Sequence, residues 1–205
     1  MVNSVCHIVG AGEFFGEIKI LDGDYVIAAD GGYDHLKKMG ISPNLLIGDM
    51  DSVGDIDEGV QKLSFPIRKD ETDMYLAYRK GVELGYKKFI LYAGTGGRED
   101  HTFANHCLLI RAKKEGNDLI LMSDKRKIYS VYNEEIAICG TPGNTVSIFA
   151  FGADAIGVKI KGLSYEADDI TLYADIPTGV SNSYTDSGRG YISVDNGALL
   201  VMEEI

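Results

Sequence analysis

The sequence predicts two folds in series: an α/β domain with a mostly parallel, six-stranded, Rossmann-like sheet in residues 1–124, and an all-β sandwich or barrel in residues 125–205. Three observations predict it. Up to about residue 124, short apolar runs alternate with stretches of helical character, the pattern of strands joined by covering helices. After Asp124 no helical period survives, and closely spaced runs of β-branched and aromatic residues take over. Four carboxylate-bearing motifs also fall just after apolar runs, where an open α/β sheet turns from strand into helix.

In chain order, the runs at 5–9, 25–29, 45–47, 65–67, 89–93 and 119–122 read as six strands. Between the first two, Phe14, Phe15, Ile18 and Leu21 recur at helical spacing and predict a helix. The stretch 99–115 predicts another, stopped by Gly116, a residue suited to the left-handed conformation that follows a helix. In the second half, runs at 128–132, 146–151, 156–160, 170–173 and 191–194 read as strands. Asp195-Asn196-Gly197 separates the last of these from the apolar run 198–202, and Asn-Gly supplies the positive φ angles of a tight turn, so a hairpin is expected there. The short charged stretch 124–127 is the expected domain boundary.

Of the 205 residues, 45% are apolar and 25% charged, the balance of a folded globular chain. Thirty-one acidic against twenty basic residues leave a formal charge of −11, which repels nucleic-acid backbones and acidic membrane surfaces, so neither is an expected partner. A negative chain that handles a negative small molecule needs local cations, and magnesium held by carboxylates is the usual means. Cys6, Cys107 and Cys139 are widely spaced and odd in number, which reads as free thiols. With no basic-then-apolar leader pattern and no apolar stretch near the roughly 20 residues a spanning helix needs, the cytoplasm is the expected compartment.

The four motifs are Asp30-Gly31-Gly32, Gly48-Asp49-Met50-Asp51-Ser52, Lys69-Asp70-Glu71-Thr72-Asp73 and Gly96-Gly97-Arg98-Glu99-Asp100-His101. Ligands of open α/β sheets bind outside the carboxyl ends of the strands, so the fold should gather all four at one edge. Any one of these carboxylates has an ordinary alternative as a helix cap or turn former. Several loops, however, carry two carboxylates or add glycine and arginine, and such clusters repel themselves unless cations offset them. The set therefore reads as a metal–phosphate site. Gly94, Gly96 and Gly97 around Thr95 suit a loop whose N–H groups approach phosphate while Arg98 grips two oxygens. No GxxxxGK[ST] occurs, which excludes a P-loop, and Val53 and Val60 exclude a calcium loop at Asp49–Asp57. Gly10, Gly12 and Gly16, with Asp30 twenty residues after Gly10, imitate a dinucleotide fingerprint and keep an NAD(P)-dependent oxidoreductase as an alternative. His7 reads as structural, His35 and His106 as helix-surface residues, and His101, one turn before Asn105, as a residue facing the cleft.

In this order, and with a late Gly179-Val180-Ser181-Asn182, the motifs resemble thiamine pyrophosphokinase over nearly the whole chain. The resemblance implies transfer of pyrophosphate from ATP to the hydroxyl of thiamine, giving thiamine diphosphate and AMP, by a homodimer whose thiamine pocket lies between subunits. It implies Mg2+ on Asp49, Asp51 and Asp73, with Asp100 and Arg98 also catalytic. ATP would be held by Asp30, Gly31, Gly32, Lys69, Asp70, Gly96, Gly97, His101 and Asn105, and thiamine by Ser181, Asn182 and Tyr184. Met50 departs from the aromatic residue common in the family, and no Trp occurs anywhere, so Tyr184 is the nearest aromatic to the thiamine segment. A metal-dependent nucleotide sensor without catalysis is the third reading of the same motifs.

Overall fold

The computed structural model describes residues 4–49, 56–64 and 71–205. The predicted strand at 65–67 lies outside them; a strand at Gln61–Ser64 immediately precedes it. The chain divides into two compact units, Met1–Leu108 with Gly116–Asp124, and Leu109–Glu115 with Lys125–Ile205.

In the first unit, β1 (Val5–Val9), β2 (Tyr25–Ala29), β3 (Leu45–Gly48), β4 (Gln61–Ser64), β5 (Lys88–Tyr92) and β6 (Asp118–Ser123) pair in parallel in the order β4-β3-β2-β1-β5-β6. A central parallel strand is covered on both faces and needs apolar side chains throughout. Accordingly β1 buries Cys6, Ile8 and Val9, with Ile8 in register with Ile27 and Leu91, whereas Gln-Lys-Leu-Ser of β4 stands at the edge. The covering helices are α1 (Gly32–Lys38), α2 (Asp73–Glu83) and α3 (Glu99–Lys114). Thr72 starts α2 by accepting a hydrogen bond from the Tyr75 N–H at 3.2 Å, a side-chain N-cap.

No helix forms between β1 and β2, which corrects the spacing argument made from Phe14 to Leu21. The N–H groups of Gly10, Gly12 and Glu13 instead donate to Tyr92, Ala93 and Thr95 carbonyls, holding the chain extended along the end of β5. Phe14 and Ile18 pack against the core while Leu21 is 62% exposed. Without a helix behind Gly10 and Gly12, the imitation of a dinucleotide fingerprint lacks its phosphate-binding helix end. Asp24 closes this segment: its carboxylate accepts the N–H groups of Val5 and Leu21 and meets His7 Nε2 at 3.1 Å, both side chains being buried.

The second unit is a sandwich of two antiparallel sheets. β7 (Arg126–Tyr132), β9 (Thr145–Ala150), β12 (Asn182–Ser183) and β14 (Ala198–Glu204) run in the order β12-β9-β14-β7; β8 (Glu135–Cys139), β10 (Ala155–Lys161), β11 (Ala167–Leu172) and β13 (Arg189–Ser193) form β11-β10-β13-β8. Val131, Val146, Ile148, Val158, Ile192, Leu199 and Val201 fill the space between them. The first of these sheets belongs to the same ten-stranded sheet as β1–β6, so that sheet is mixed rather than a six-stranded parallel one, and the likeness to a Rossmann sheet is approximate. The physical reason is the link Asp124-Lys125 between β6 and β7: parallel neighbours need a crossover of a dozen or more residues, so parallel pairing ends there.

The predicted hairpin at Asn196-Gly197 is also corrected. β13 pairs with β10 and β8, whereas β14 pairs with β7 and β9, so the turn carries the chain from one sheet to the other. Asn196 is engaged with Ile156 on both backbone groups, and Gly197, at φ 125°, passes so close to Ala155 that an added Cβ would lie 2.9 Å from its Cα. Glu203, 1% exposed, accepts hydrogen bonds from the hydroxyls of Tyr129 and Tyr184 and pairs with Lys127 at 3.1 Å. Ser130 Oγ of β7 donates to the Leu109 carbonyl at 2.8 Å, tying in the last turns of α3.

Candidate active site

Parallel strands deliver their carboxyl ends to one edge, and there the first unit forms a small cavity of about 70 Å3. Asp30, Thr72, Asp73, His101 and Asn105 line it together with Gly10 and Ala11. Asp30, just after β2, takes the left-handed conformation at φ 50°, a geometry aspartate tolerates, and its N–H donates to the Ile47 carbonyl at 2.7 Å. Gly48 lies against Asp30: an added Cβ would sit 3.2 Å from the Asp30 Cα. The half-buried Asp49 is therefore delivered beside the Asp30 turn. Gly31 and Gly32, expected at the nucleotide, have a steric reason of their own. A Cβ on Gly32 would fall 1.9 Å from the Val9 carbonyl oxygen, and one on Gly31 would fall 3.1 Å from the Ala11 Cβ.

The loop between β5 and α3 leads into the helix whose His101 and Asn105 line the same cavity. Gly96 and Gly97 both take positive φ, 78° and 71°. Asn105, 3% exposed, donates from Nδ2 to the Gly94 carbonyl at 2.8 Å, so its side chain fixes the loop as well as lining the cavity. Arg98 grips Asp100 with two parallel bonds, Nε to Oδ1 at 3.1 Å and Nη2 to Oδ2 at 2.6 Å, and both side chains are exposed. The hydrogen bond to Asp100 raises the Arg98 pKa, and the same bond holds the Asp100 carboxyl below the usual carboxylate range. Of five guanidinium N–H groups, two serve Asp100, which leaves donors over for an anion. His101 is exposed; its backbone N–H donates to Asp100 at 3.0 Å. Glu13 lies over Gly96, near enough that an added Cβ there would meet the Glu13 Cγ at 2.6 Å.

In the second unit, Ser181 is exposed at φ 59° and its N–H donates to Ser147 Oγ at 3.1 Å. Asn182 is buried, and its carboxamide clamps one residue: Oδ1 accepts the Tyr165 N–H at 2.9 Å and Nδ2 donates to the Tyr165 carbonyl at 2.7 Å. Tyr184 is 2% exposed and spends its hydroxyl on Glu203. The aromatic face that the Ser181-Asn182 segment does present is that of Tyr165, 74% exposed on a backbone held by Asn182. The seventeen-residue separation between the two hides this pairing from spacing arguments. His35, predicted on a helix surface, is half-buried and donates from Nε2 to the Gly12 carbonyl at 2.9 Å.

Asp51, Lys69 and Asp70 lie outside the described residues. Among the described residues no three His, Cys, Asp or Glu side chains gather as a metal site. Magnesium does not require that many, since it keeps several waters and is commonly held by one or two carboxylates plus substrate phosphates. Asp30 and Asp73 on one cavity wall, with hard oxygen donors and no thiolate or imidazole pair, fit such an ion.

Comparison with known proteins gives a consistent result. Residues 20–121 match the family model described as thiamin pyrophosphokinase, catalytic domain, and residues 132–199 match thiamin pyrophosphokinase, vitamin B1 binding domain. No curated protein sequence matches. Among solved structures, thiamine pyrophosphokinase from Bacillus subtilis superposes with a TM-score of 0.90 at 22% identity, over 98% of both chains. That from Geobacillus thermodenitrificans gives 0.85 at 21% identity over 98% of this chain and 97% of the other, and that from Candida albicans 0.75 at 12% over 98% and 89%. At these identities the superpositions establish the fold.

Proposed function

Because the chain belongs to the thiamin pyrophosphokinase family, both of whose domain models it matches, we propose that its cavity at Asp30 and Asp73 is the seat of a thiamine diphosphokinase reaction. In this reading ATP is the co-substrate, and thiamine diphosphate and AMP are the products. It displaces the oxidoreductase and the non-catalytic sensor as readings of these motifs. The observation that carries the placement is the meeting of two carboxylates, from the Asp30 turn and from the start of α2, in one cavity with His101 and Asn105 of α3.

Transfer at the β-phosphorus needs the triphosphate neutralised, the thiamine alcohol aligned and the departing AMP stabilised. Asp73 and Asp49, with Asp51, would hold Mg2+, which when bound supplies charge neutralisation on the phosphates. Asp30 and Asp70 stand close by in this reading, and Lys69 adds a cation. The Gly96 and Gly97 N–H groups and the Arg98 fork take phosphate oxygens. Asp100, kept charged by Arg98, sets the plane of the guanidinium. His101 and Asn105 complete the wall, and Gly31 and Gly32 let the Asp30 turn approach closely. On the thiamine side, Ser181 offers its exposed hydroxyl, Asn182 and Tyr184 position their segment, and Tyr165 presents the ring on which the pyrimidine stacks.

The enzyme in this reading is a homodimer whose thiamine site joins Ser181 and Tyr165 of one subunit to the carboxylate loops of the other. The ATP requirement and three free thiols favour the cytoplasm. The deciding experiment is to incubate purified protein with ATP, magnesium and thiamine and to identify the nucleotide formed. AMP with thiamine diphosphate is expected; ADP would overturn pyrophosphoryl transfer.

A further inference from the structure

A carboxylate stands in the core of the sandwich. Leu199, Val201 and Glu203 alternate along β14 onto one face, and the first two pack in the apolar core. A third apolar side chain would continue that core, whereas a buried carboxylate costs energy unless it is paired and hydrogen-bonded. Glu203 has three partners, the Lys127 ammonium and the hydroxyls of Tyr129 and Tyr184. Burial, reinforced by the carboxylate itself, raises the pKa of both phenols, so both hydroxyls stay protonated and donate. The partners differ in what else holds them. Lys127 and Tyr129 lie on β7, whose pairing with β14 runs from Ala198 to Glu204 and sets Lys127 opposite Glu203, so strand pairing keeps both in place. Tyr184 lies just past β12, a strand of two residues that pairs with β9 at Asn182 and Ser183. Its backbone bonds to Gly143 and Asn144 in the turn before β9, and its hydroxyl bond to Glu203 ties that short strand to the full-length β14.

What Tyr184 anchors is the segment read above as the thiamine side. The Asn182 carboxamide clamps the Tyr165 backbone, the Ser183 carbonyl accepts the Ser164 N–H at 2.9 Å, and the two serine hydroxyls stand 2.8 Å apart. Tyr184 itself bridges to Leu163. Residues 163–165 and 182–184 are thereby joined into one piece. Ser181 precedes this piece at φ 59°, a conformation that costs a serine energy and persists only where the surroundings fix it. Its N–H is held by Ser147 Oγ. The exposed Ser181 hydroxyl and the exposed Tyr165 ring therefore take their places from a segment pinned at one end by Ser147 and at the other by Glu203.

We propose that Glu203 is a positioning residue for thiamine: through the Tyr184 hydroxyl, its buried carboxylate sets the place of Ser181 and of the Tyr165 ring. The proposal rests on the reading of those two residues as the thiamine contacts.

The test combines steady-state kinetics in thiamine and ATP with calorimetric titration of thiamine. Glu203→Met fills the space but accepts no hydrogen bond. It should raise the thiamine KM and Kd about tenfold, the lower end for losing a hydrogen bond to a charged group, and leave kcat and the ATP KM within about twofold. Tyr184→Phe should do the same, and it carries the test alone should Glu203→Met not fold. The double variant should be no worse than either single one, as expected of two residues that act through one contact. Glu203→Gln, whose carboxamide still accepts from Tyr184, should bring thiamine affinity back to within about threefold of wild type. Tyr129→Phe takes the other hydroxyl from the same carboxylate, so it should lower the urea midpoint without moving the thiamine KM. A thiamine Kd unchanged in Glu203→Met and Tyr184→Phe would overturn the proposal. So would a rise in Tyr129→Phe equal to that in Tyr184→Phe, which would make the cluster a matter of stability alone. Wild-type protein that does not bind thiamine would instead remove the underlying reading, and the proposal with it.

Discussion

Asp73 begins α2 and Arg98 stands just before α3, and in the proposed reaction their substitutions should fail differently. Asp73→Asn keeps the shape and the first turn of α2 but removes a charge from the cavity wall, so kcat should fall by at least 100-fold with the circular-dichroism spectrum unchanged. Arg98→Lys keeps a charge but loses the planar fork, so the KM for ATP should rise and kcat fall, by about tenfold or more together in steady-state assays. Tyr165→Ala should raise the thiamine KM about tenfold while leaving the KM for ATP near wild type, and Tyr165→Phe should restore it. Asp30, Asp73 and His101 were legible in the sequence because strand-end position and residue chemistry both appear in the string. Tyr165 was not: its exposed ring is carried on a backbone clamped by Asn182 from seventeen residues away, and no period links the two. Tyr184 turns its ring into the sandwich and its hydroxyl onto Glu203, an orientation that proximity in sequence to Asn182 does not encode.

At the level of elements, apolar runs located strands well because a parallel strand buried on both faces has nowhere to place a charge. The same reasoning misread residues 14–21, where helical spacing was present but the preceding glycines were already hydrogen-bonded to the end of β5. At the start of α1, Gly32→Ala should destabilise the fold by about 1–3 kcal/mol or more, as the new methyl meets the Val9 carbonyl rather than a movable side chain; urea unfolding should show it. Asp24 anchors the other end of the segment. Burial pushes its pKa up, but bonds from Val5, Leu21 and His7 outweigh that and leave it below the ordinary carboxylate value near 4. A lowered folded pKa contributes stability that is present above the unfolded value and lost as pH falls through the folded one. Asp24→Asn should therefore cost about 1–3 kcal/mol at pH 7, and the gap from wild type should close on acidification below about pH 4, followed by urea midpoints.

For the molecule as a whole, the sequence showed two architectures but not where one sheet stops, because the pairing of β14 with β7 and β9 and the crossing at Gly197 are set by distant partners. The homodimer reading makes a quantitative prediction. Mixing inactive Asp73→Ala protein with Tyr165→Ala/Ser181→Ala protein should restore about a quarter of wild-type activity after subunit exchange. Half of the dimers would be mixed, and each would carry one site with both lesions and one with neither. Activity that stays at the parental level, with exchange confirmed by differently tagged subunits, would place thiamine within one chain. The two family domains also differ from interchangeable cassettes. Leu109–Glu115 clusters with the sandwich unit although it begins fifteen residues before Asp124 and continues a helix begun in the other unit. A recombination joined after Asp124 would bring a foreign helix end to the Ser130 hydroxyl, so shuffling of these halves over evolutionary time must carry the last turns of α3 along with the sandwich or repair that seam afterwards.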